Sequence, residues 1–379
     1  MEASRVTGAE VARLAGVSKT AVSQVFGGTG RISAETSARV LAAARELGYV
    51  PDHAARSLRL RRTGMLTMIV PQLDNPYYLE IFAGGQATAA ERGYTLDLFT
   101  AADATAARAK LRQLGTGVSD GVVISAEAGI EDLAEELRTL NARGVGVAVT
   151  QAAGPDPRIP GVRVDLEHGA RLAIRHLLDL GHRRIAYVGN RADAAARARD
   201  PRHPGDGRWR GYRAVLAEAG IAYDEALVHA ADPTARGGAR CSAALTAPAG
   251  PSPTAVFAFN DLVAMGILHG LAMAGVRVPA DLSVVGFDGI ELSEFTVPAL
   301  TTVAHPREDL GRQAVARLCD QLAGGDGSPG GSGGGSGNGS GGEDDAETHA
   351  GAKAEAVRDV VLTPRLVIRG STGVCAVNR

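Results

Sequence analysis

The sequence predicts an α/β protein in which an N-terminal all-α helix-turn-helix domain precedes a two-lobed, doubly wound α/β body. Three features predict it: the compact helical segment from Glu10 to Gly28, the alternation of apolar strand segments with helical patterns after Met65, and an uneven charge distribution. Alternating strands and helices are typical of parallel sheets that carry helices on both faces. At 379 residues the chain has the length of two or three domains.

The charge is basic at the N-terminus and acidic elsewhere. Residues 1–62 carry ten basic and five acidic side chains, a net +5. The remaining chain carries 30 basic and 37 acidic side chains, a net −7 within an overall −2. A basic head on an acidic body indicates that the head binds a polyanion.

The first two helices are short and separated by a tight turn. Thr7 and Glu10 have the spacing of a capping box, which predicts a helix that begins near Gly8 and ends at Gly16. Ser18 is placed to cap a second helix. Helical spacing divides the residues of that helix between two faces. The inward face has Ala21, Val22 and Val25, and the outward face has Lys19, Thr20, Ser23 and Gln24.

A third helix completes the predicted head. Ser33 can cap it and Gly48 can end it. We expect it to contribute four side chains to a small core: Val40, Leu41, Ala44 and Leu47. A helix, a turn with glycine and a second helix form the unit that places the second helix in the DNA major groove.

Polar side chains follow the predicted strands of the body. Ligands of doubly wound folds bind at the carboxyl ends of the strands, so these side chains are candidates for a binding cleft. Asn and Asp can bond hydroxyl groups or ring nitrogens of a small molecule, although they also cap helices. The candidates are Asn75, Tyr77, Tyr78, Ser125, Asp165, Asn260 and Asp288.

Five segments together resemble the lac-repressor (LacI/GalR) family of bacterial transcription regulators. They are "VARLAGVSKTAVSQVFGG", "ISAETSARVLAAARELGYVPDHAARSLR", "VVGFD", "LTTVAHPREDLGRQAV" and "LVIRGST", which occur in family order along nearly the whole chain. The resemblance implies a periplasmic-binding-protein-like effector domain with two lobes. It also implies a dimer, since each head reads one half of a palindromic operator.

The resemblance assigns DNA-contacting residues in the head and in the segment that follows it. Base contacts map to Lys19, Thr20 and Gln24, whose side chains can bond guanine, touch a thymine methyl and bond adenine. Contacts with the DNA backbone map to Ser18, Ser23, Ser33, Arg56 and Arg59. Ala55 and Leu58 match the hinge helix, where an apolar wedge between base steps kinks the minor groove. The family commonly has Arg at the position of Gln24.

In the body the resemblance assigns effector contacts to Arg208 of "RWRGY", Asn260 and Asp288. The family's sugar-binding members often carry an aromatic residue where this chain has Pro233. Trp209 neighbours Arg208 on a helical pattern, so we expect it to face away from the cleft.

The predicted domains follow from these motifs. The helix-turn-helix domain spans 1–50 and the hinge helix with its linker 51–63. The N-terminal lobe comprises 64–161 and 292–323, and the C-terminal lobe 162–291 and 357–379. Residues 324–353 form a Gly/Ser-rich insert, a composition typical of flexible chain.

The sequence favours a regulator over the alternatives. It has no catalytic motif among the zinc-protease, P-loop and nucleophile-elbow patterns, and its three cysteines fit neither a disulfide framework nor a metal site, so we expect no enzyme activity, cofactor or metal. No secretion signal or membrane segment is evident, which predicts a cytoplasmic protein with no membrane partner. The expected partners are operator DNA, a small-molecule effector and a second copy, with a tetramer left open. An activator or global regulator, a solute-binding sensor without a DNA role, and an enzyme built on the lobes remain the alternatives.

Overall fold

The computed structural model describes residues 6–27, 32–49, 62–125, 131–200, 203, 205–246, 252–324 and 359–375. The predicted hinge residues Ala55, Arg56, Leu58 and Arg59 lie outside these ranges, as does nearly all of the Gly/Ser-rich insert.

The head contains three helices: α1 (Gly8–Ala15), α2 (Lys19–Gly27) and α3 (Ala34–Leu47). The backbone N–H of Thr7 donates to Glu10 over 2.7 Å, as the capping-box spacing predicts. Gly16 ends α1 with φ 63°, a left-handed conformation that glycine adopts at little cost. The helix-turn-helix prediction is therefore confirmed.

The core of the head differs in one residue from the prediction. Leu41 is 39% exposed, whereas Ala43 is buried. Positions 40, 43, 44 and 47 form the helical stripe that faces α1, and Leu41 lies about 100° around the helix from Val40. The buried set is Val11, Ala12, Ala15, Val22, Val40, Ala43 and Ala44.

The body contains twelve described strands in two sheets. The strands are β1 (Met65–Val70), β2 (Thr95–Thr100), β3 (Gly121–Ser125), β4 (Gly146–Thr150), β5 (Gly161–Val164), β6 (Ile185–Asn190), β7 (Val228–Ala231), β8 (Ala255–Ala258), β9 (Ser283–Asp288), β10 (Thr301–Ala304), β11 (Val360–Leu362) and β12 (Arg365–Val367). The first sheet has the order β11-β5-β4-β3-β1-β2, and the second has the order β12-β10-β9-β8-β6-β7. Among the described strands, pairing is parallel except between β10 and β12. The predicted doubly wound class is confirmed.

Nine helices cover the two sheets in the described part of the body. They are α4 (Pro76–Glu91), α5 (Ala104–Leu114), α6 (Ala134–Ala142), α7 (Leu166–Asp179), α8 (Arg191–Arg199), α9 (Gly207–Glu218), α10 (Ala235–Leu245), α11 (Asp261–Met273) and α12 (Arg307–Gly324). We call the first sheet with α4, α5, α6 and α12 the first lobe, and the second sheet with α7 to α11 the second lobe. Each sheet has an apolar cluster on either face.

The sheets divide the chain differently from the predicted lobe boundaries. β5 and β11 pair within the first sheet, although most of β5 and all of β11 fall in ranges predicted for the C-terminal lobe. β10, predicted for the N-terminal lobe, pairs with β9 in the second sheet. Within the segment 292–323, α12 packs on the first lobe. The chain therefore crosses between lobes after β5, after β10 and between β11 and β12.

None of the described helices combines the length and the apolar character that a bilayer crossing requires. The described residues also contain no cluster of three or more metal-ligating side chains.

Candidate nucleic-acid interface and effector cleft

The second helix of the head presents a polar face. Lys19 and Thr20 are exposed, and Gln24 is half-buried beside them, while Val22 is 2% exposed and packs on the head's core. Val22, together with the half-buried Val25 and Phe26, packs on the head's core and so leaves the face with Lys19 and Thr20 toward solvent. This is the geometry in which a recognition helix can enter a major groove.

Two of the predicted DNA-backbone residues cap helices. Ser18 Oγ accepts from the N–H of Ala21 over 3.1 Å, and Ser33 Oγ accepts from the N–H of Thr36 over 3.2 Å. The free N–H groups at these helix starts are suited to phosphate oxygens. Ser23 lies half-buried on α2, one residue after Val22.

A cavity of about 540 Å³ lies between the lobes, at the carboxyl ends of strands from both sheets. Its first-lobe wall follows β1, β2 and β3, and its second-lobe wall follows β6, β7 and β8. Four predicted effector residues line it: Asn75, Tyr78, Ser125 and Asn260. A cavity of this size accommodates a small metabolite.

Ser125 and Asn260 offer polar groups to the cavity from opposite lobes. Ser125 Oγ is buried and has no hydrogen-bond partner among the described residues. Asn260 Oδ1 accepts from the N–H of Val263 over 2.8 Å, so its carbonyl caps α11 and its NH₂ group can donate to a bound molecule. The capping role and the binding role of Asn260 are therefore compatible.

Four other predicted residues lie outside the cavity wall. Tyr77 is 1% exposed, with its ring 5.3 Å from that of Tyr78 and 5.8 Å from that of His305. Asp165 caps α7 by accepting from the N–H of His168 over 2.9 Å, at a crossing between the lobes. The other two, Arg208 and Asp288, lie deeper.

Arg208 lies behind Asn260 in the second lobe. Its Nη1 donates to the carbonyl of Phe259 over 2.9 Å, and its Nε donates to Asp206 over 2.9 Å. The guanidinium carbon is 5.2 Å from the centre of the Phe287 ring. These contacts fix the cation at the ends of β8 and β9, while the neighbouring Trp209 packs in the core with Tyr187 and Tyr212, away from the cavity.

Asp288 is buried at the end of β9 with a φ of 111°. A left-handed conformation at a residue other than glycine costs about 1–3 kcal/mol and is found most often at functional sites. The backbone of this residue thus departs from the extended strand at the point where a ligand would bind.

Several residues at the cleft were not predicted from the sequence. Arg191 and Asp232 form a 2.8 Å ion pair and both line the cavity, together with Asp103 and Asn190. Each follows or ends a strand, so the strand-end rule could have found them once the strand bounds were known. Pro233 also lines the cavity.

His305 was also not predicted as a site residue, although it lies in the segment "LTTVAHPREDLGRQAV" that carries part of the family resemblance. It is buried beside Phe287 and Tyr77, and neither ring nitrogen has a partner among the described residues. Burial, together with the charges of Arg208 and Arg307, holds the pKa of His305 well below its usual range. The ring is therefore neutral at physiological pH, and it can donate one hydrogen bond and accept another.

Asp261 is the buried acid next to Asn260. Its carboxylate accepts from the Thr302 hydroxyl over 2.5 Å and from the N–H of Ile290 over 2.8 Å. Burial raises the pKa of Asp261 from 3.8 to about 7, against the opposing effect of these hydrogen bonds. The acid thus connects the start of α11 with β10 and with the turn after Asp288.

This raised pKa predicts a pH-dependent stability. Between pH 3.8 and about 7 the folded protein keeps a proton on Asp261 that the unfolded chain releases. The stabilisation from this proton is fully present below pH 3.8 and is lost as the pH rises to about 7. We expect the free energy of unfolding to fall more steeply over that interval in the wild type than in Asp261→Asn, with slopes that differ by about 1.4 kcal/mol for each pH unit. Urea unfolding at a series of pH values measures the two slopes, and equal slopes would contradict the prediction.

Comparison with known sequences identifies the family. The family described as "Bacterial regulatory proteins, lacI family" matches residues 9–52, and a periplasmic binding protein-like domain matches residues 174–332. The HTH-type transcriptional repressor PurR of Vibrio atlanticus (strain LGP32) is 34% identical over 321 residues, which cover 83% of this chain and 91% of that protein. The chain belongs to the lacI family.

Solved structures of lacI-family proteins share the fold. The complex of the transcriptional regulator CelR with cellobiose is 29% identical with a TM-score of 0.65, covering 97% of this chain and 100% of the other. The lac repressor dimer bound to operator and the anti-inducer ONPF is 24% identical with a TM-score of 0.75, covering 97% and 99%. The lacI-family chain described here is a transcriptional regulator and not an enzyme.

Proposed function

We propose that this protein is a ligand-responsive repressor that binds a palindromic operator as a homodimer and holds a small-molecule effector in the interlobe cleft. The observation that carries the proposal is the combination, in one chain, of an exposed polar face on α2 and a 540 Å³ cavity lined from both lobes. We place the protein in the cytoplasm, because that is where its proposed DNA target lies in bacteria.

On the DNA side, Lys19, Thr20 and Gln24 read base edges in each half-site. Ser18, Ser23 and Ser33 contact phosphates near the helix starts, and Arg56 and Arg59 extend these contacts along the hinge. Leu58, with Ala55 one turn before it, enters the minor groove at the operator centre. Two copies are needed because each head covers one half-site.

On the effector side, Asn75, Tyr78, Ser125 and Asn260 contact the bound molecule, with Tyr77, Asp165, Arg208 and Asp288 completing the site as the lobes close. Hydroxyl-rich ligands suit such a set, because Asn, Asp and Ser bond hydroxyl groups and a Tyr ring covers the apolar face of a sugar. The cellobiose in the CelR complex and the ribose in a 25% identical regulator from Enterococcus faecium support a sugar or related metabolite.

The effector acts by binding one interlobe arrangement more tightly than the other, which changes the operator affinity of the dimer. We propose that the domain order along the chain is the predicted one, with lobe boundaries drawn where the chain crosses between the two sheets.

Selection of bound sequences from random duplex DNA by the full-length protein tests the proposal. We expect a palindromic motif, with enrichment that changes when cellobiose, D-ribose or a nucleoside such as adenosine is added. Absence of any motif under every condition would refute operator binding, and a motif that none of the compounds alters would count against a sugar or nucleoside effector. A footprint relative to the promoter separates a repressor from an activator, and light scattering separates a dimer from a tetramer.

Gln24→Ala should relax base preference at one position in each half-site. A bidentate side-chain contact with a base contributes about 1–3 kcal/mol of discrimination, so the preference at that position should fall by about 5- to 150-fold. Repeating the selection with the variant measures the change. Gln113→Ala on α5 is the matched control, because Gln113 is exposed on the body, and its motif should equal that of the wild type. An unchanged motif for Gln24→Ala would remove Gln24 from the base-reading set.

A further inference from the structure

Arg307 makes hydrogen bonds with both lobes at the point where the chain crosses between them. It is the first residue of α12, three positions after the end of β10. Its Nε donates to Glu80 Oε2 over 2.6 Å, and its Nη1 donates to the carbonyl oxygen of Asp288 over 2.6 Å. The two charged side chains are 13% and 29% exposed, so water screens the ion pair only in part.

The two partners of Arg307 belong to opposite walls of the cleft. Glu80 lies on α4, little more than one turn after Asn75 and half a turn after Tyr78, both of which line the cavity. Asp288 ends β9 in the second lobe. A single guanidinium therefore joins the helix that carries the first-lobe wall to the end of a second-lobe strand.

The turn that contains Asp288 is held from two sides. The N–H of Ile290 donates to Asp261 over 2.8 Å, and Arg307 binds the carbonyl of Asp288 itself. Gly289 has a φ of 70°, and a Cβ atom there would lie 2.5 Å from the Cα of Ala304. A left-handed Asp288 beside so close an approach persists only when surrounding contacts stabilise it.

We propose that Arg307, oriented by Glu80, is a positioning residue that couples the two walls of the cleft. It holds the Asp288 turn at a fixed place relative to α4, so that the interlobe angle and the position of the Asp288 carboxylate change together. This inference rests on the proposed effector role of the cleft. It adds the physical connection through which binding at Asp288 reaches the first lobe.

Hydrogen exchange in the full-length, ligand-free protein tests the hold on the turn. In Arg307→Gln and in Glu80→Gln we expect the amides of Gly289 and Ile290 to exchange about tenfold faster, because opening of the turn costs less. The double variant should exchange no faster than Arg307→Gln, because both changes remove one chain of contacts. Glu218→Gln is the matched control, since Glu218 pairs with Arg171 and Arg175 within the second lobe.

The distance between two spin labels tests the coupling of the lobes. Labels at Thr139→Cys on α6 and Ala243→Cys on α10 report on opposite lobes when the three native cysteines are replaced by alanine and labelled chains are diluted with unlabelled ones. We expect a broader distance distribution in Glu80→Gln than in the wild type or in Glu218→Gln, at an unchanged midpoint of urea unfolding.

The proposal would be overturned if Glu80→Gln had the same exchange rates and the same label distances as Glu218→Gln. This comparison does not depend on whether Arg307→Gln folds. Faster exchange without a broader distribution would also overturn it, because Arg307 would then stabilise the turn alone. Neither measurement uses DNA or a bound compound. The selection experiment can therefore fail while this inference stands, and this inference can fail while the selection experiment supports the proposed function.

Discussion

Replacing Arg208 with alanine should lower the affinity for the effector about 100-fold and leave the operator affinity of the ligand-free protein unchanged. A hydrogen bond from a buried cation to a ligand oxygen is worth about 1.5–3 kcal/mol, and the guanidinium can make two of them. The bonds of Arg208 with Phe259 and Asp206 hold the cation in place before the ligand arrives. Calorimetry with the compound that alters operator selection measures the loss, and fluorescence anisotropy measures operator binding.

Arg210→Ala is the control for this prediction. Arg210 lies on the same helix two residues later, is exposed, and pairs with Glu167 over 3.0 Å. Its replacement should leave effector affinity and the unfolding midpoint unchanged. Arg208→Ala should lower the midpoint, because Asp206 and the Phe259 carbonyl lose their cation, so its effector affinity is measured well below that midpoint. Wild-type effector affinity in a folded Arg208→Ala protein would exclude Arg208 from the binding site.

The local features of the fold could be predicted from the sequence because local chemistry determines them. The caps at Thr7, Ser18 and Ser33 form hydrogen bonds within three residues. Eight strands of the body, β1 to β6, β8 and β9, are apolar or alternating segments that the sequence shows, and all of them except the edge strand β2 lie inside a sheet. β7, β10, β11 and β12 were not predicted. Three of these, β7, β11 and β12, are short edge strands whose side chains are mostly half-buried or exposed.

Sheet membership could not be predicted, because it depends on partners far away in the chain. β10 follows the second lobe's β9 but precedes the first lobe's α12, and nothing in "TTVA" indicates which sheet it joins. In the structure β10 pairs with β9 of the second sheet, with Thr301 opposite Val285. For the same reason Arg307 drew no attention as a sequence feature, since Glu80 and Asp288 are 227 and 19 residues away.

Part of the candidate site could be predicted from the sequence, because parallel strands end at the same edge of a sheet. Polar residues directly after strands lie at one edge of each sheet, so Asn75, Ser125 and Asn260 converge on the cavity. Their depth in the site depends on side-chain packing. Tyr77 and Tyr78 are adjacent in the chain, yet only Tyr78 reaches the cavity wall, because successive helical positions point about 100° apart.

Gly311→Ala should lower the free energy of unfolding by about 3 kcal/mol, at the upper end of the usual cost of overpacking. α4 and α12 cross at two glycines, and a Cβ atom at Gly311 would overlap the carbonyl oxygen of Ile81. On the opposite helix, a Cβ atom at Gly84 would overlap the carbonyl oxygen of Glu308. Backbone atoms cannot rotate away as a side chain can, so the two helices must separate.

Gly324→Ala on the same helix separates this effect from helix propensity. A Cβ atom at Gly324 meets nothing within 4 Å, so this change should be neutral or slightly stabilising. Urea unfolding of both variants measures the difference, and equal stabilities would show that the crossing tolerates a methyl group. If α4 and α12 separate, Arg307 at the start of α12 also moves away from Glu80 on α4. Gly311→Ala should therefore broaden the distribution of distances between the spin labels on the two lobes, as Glu80→Gln does. Neither Gly84 nor Gly311 touches the cleft.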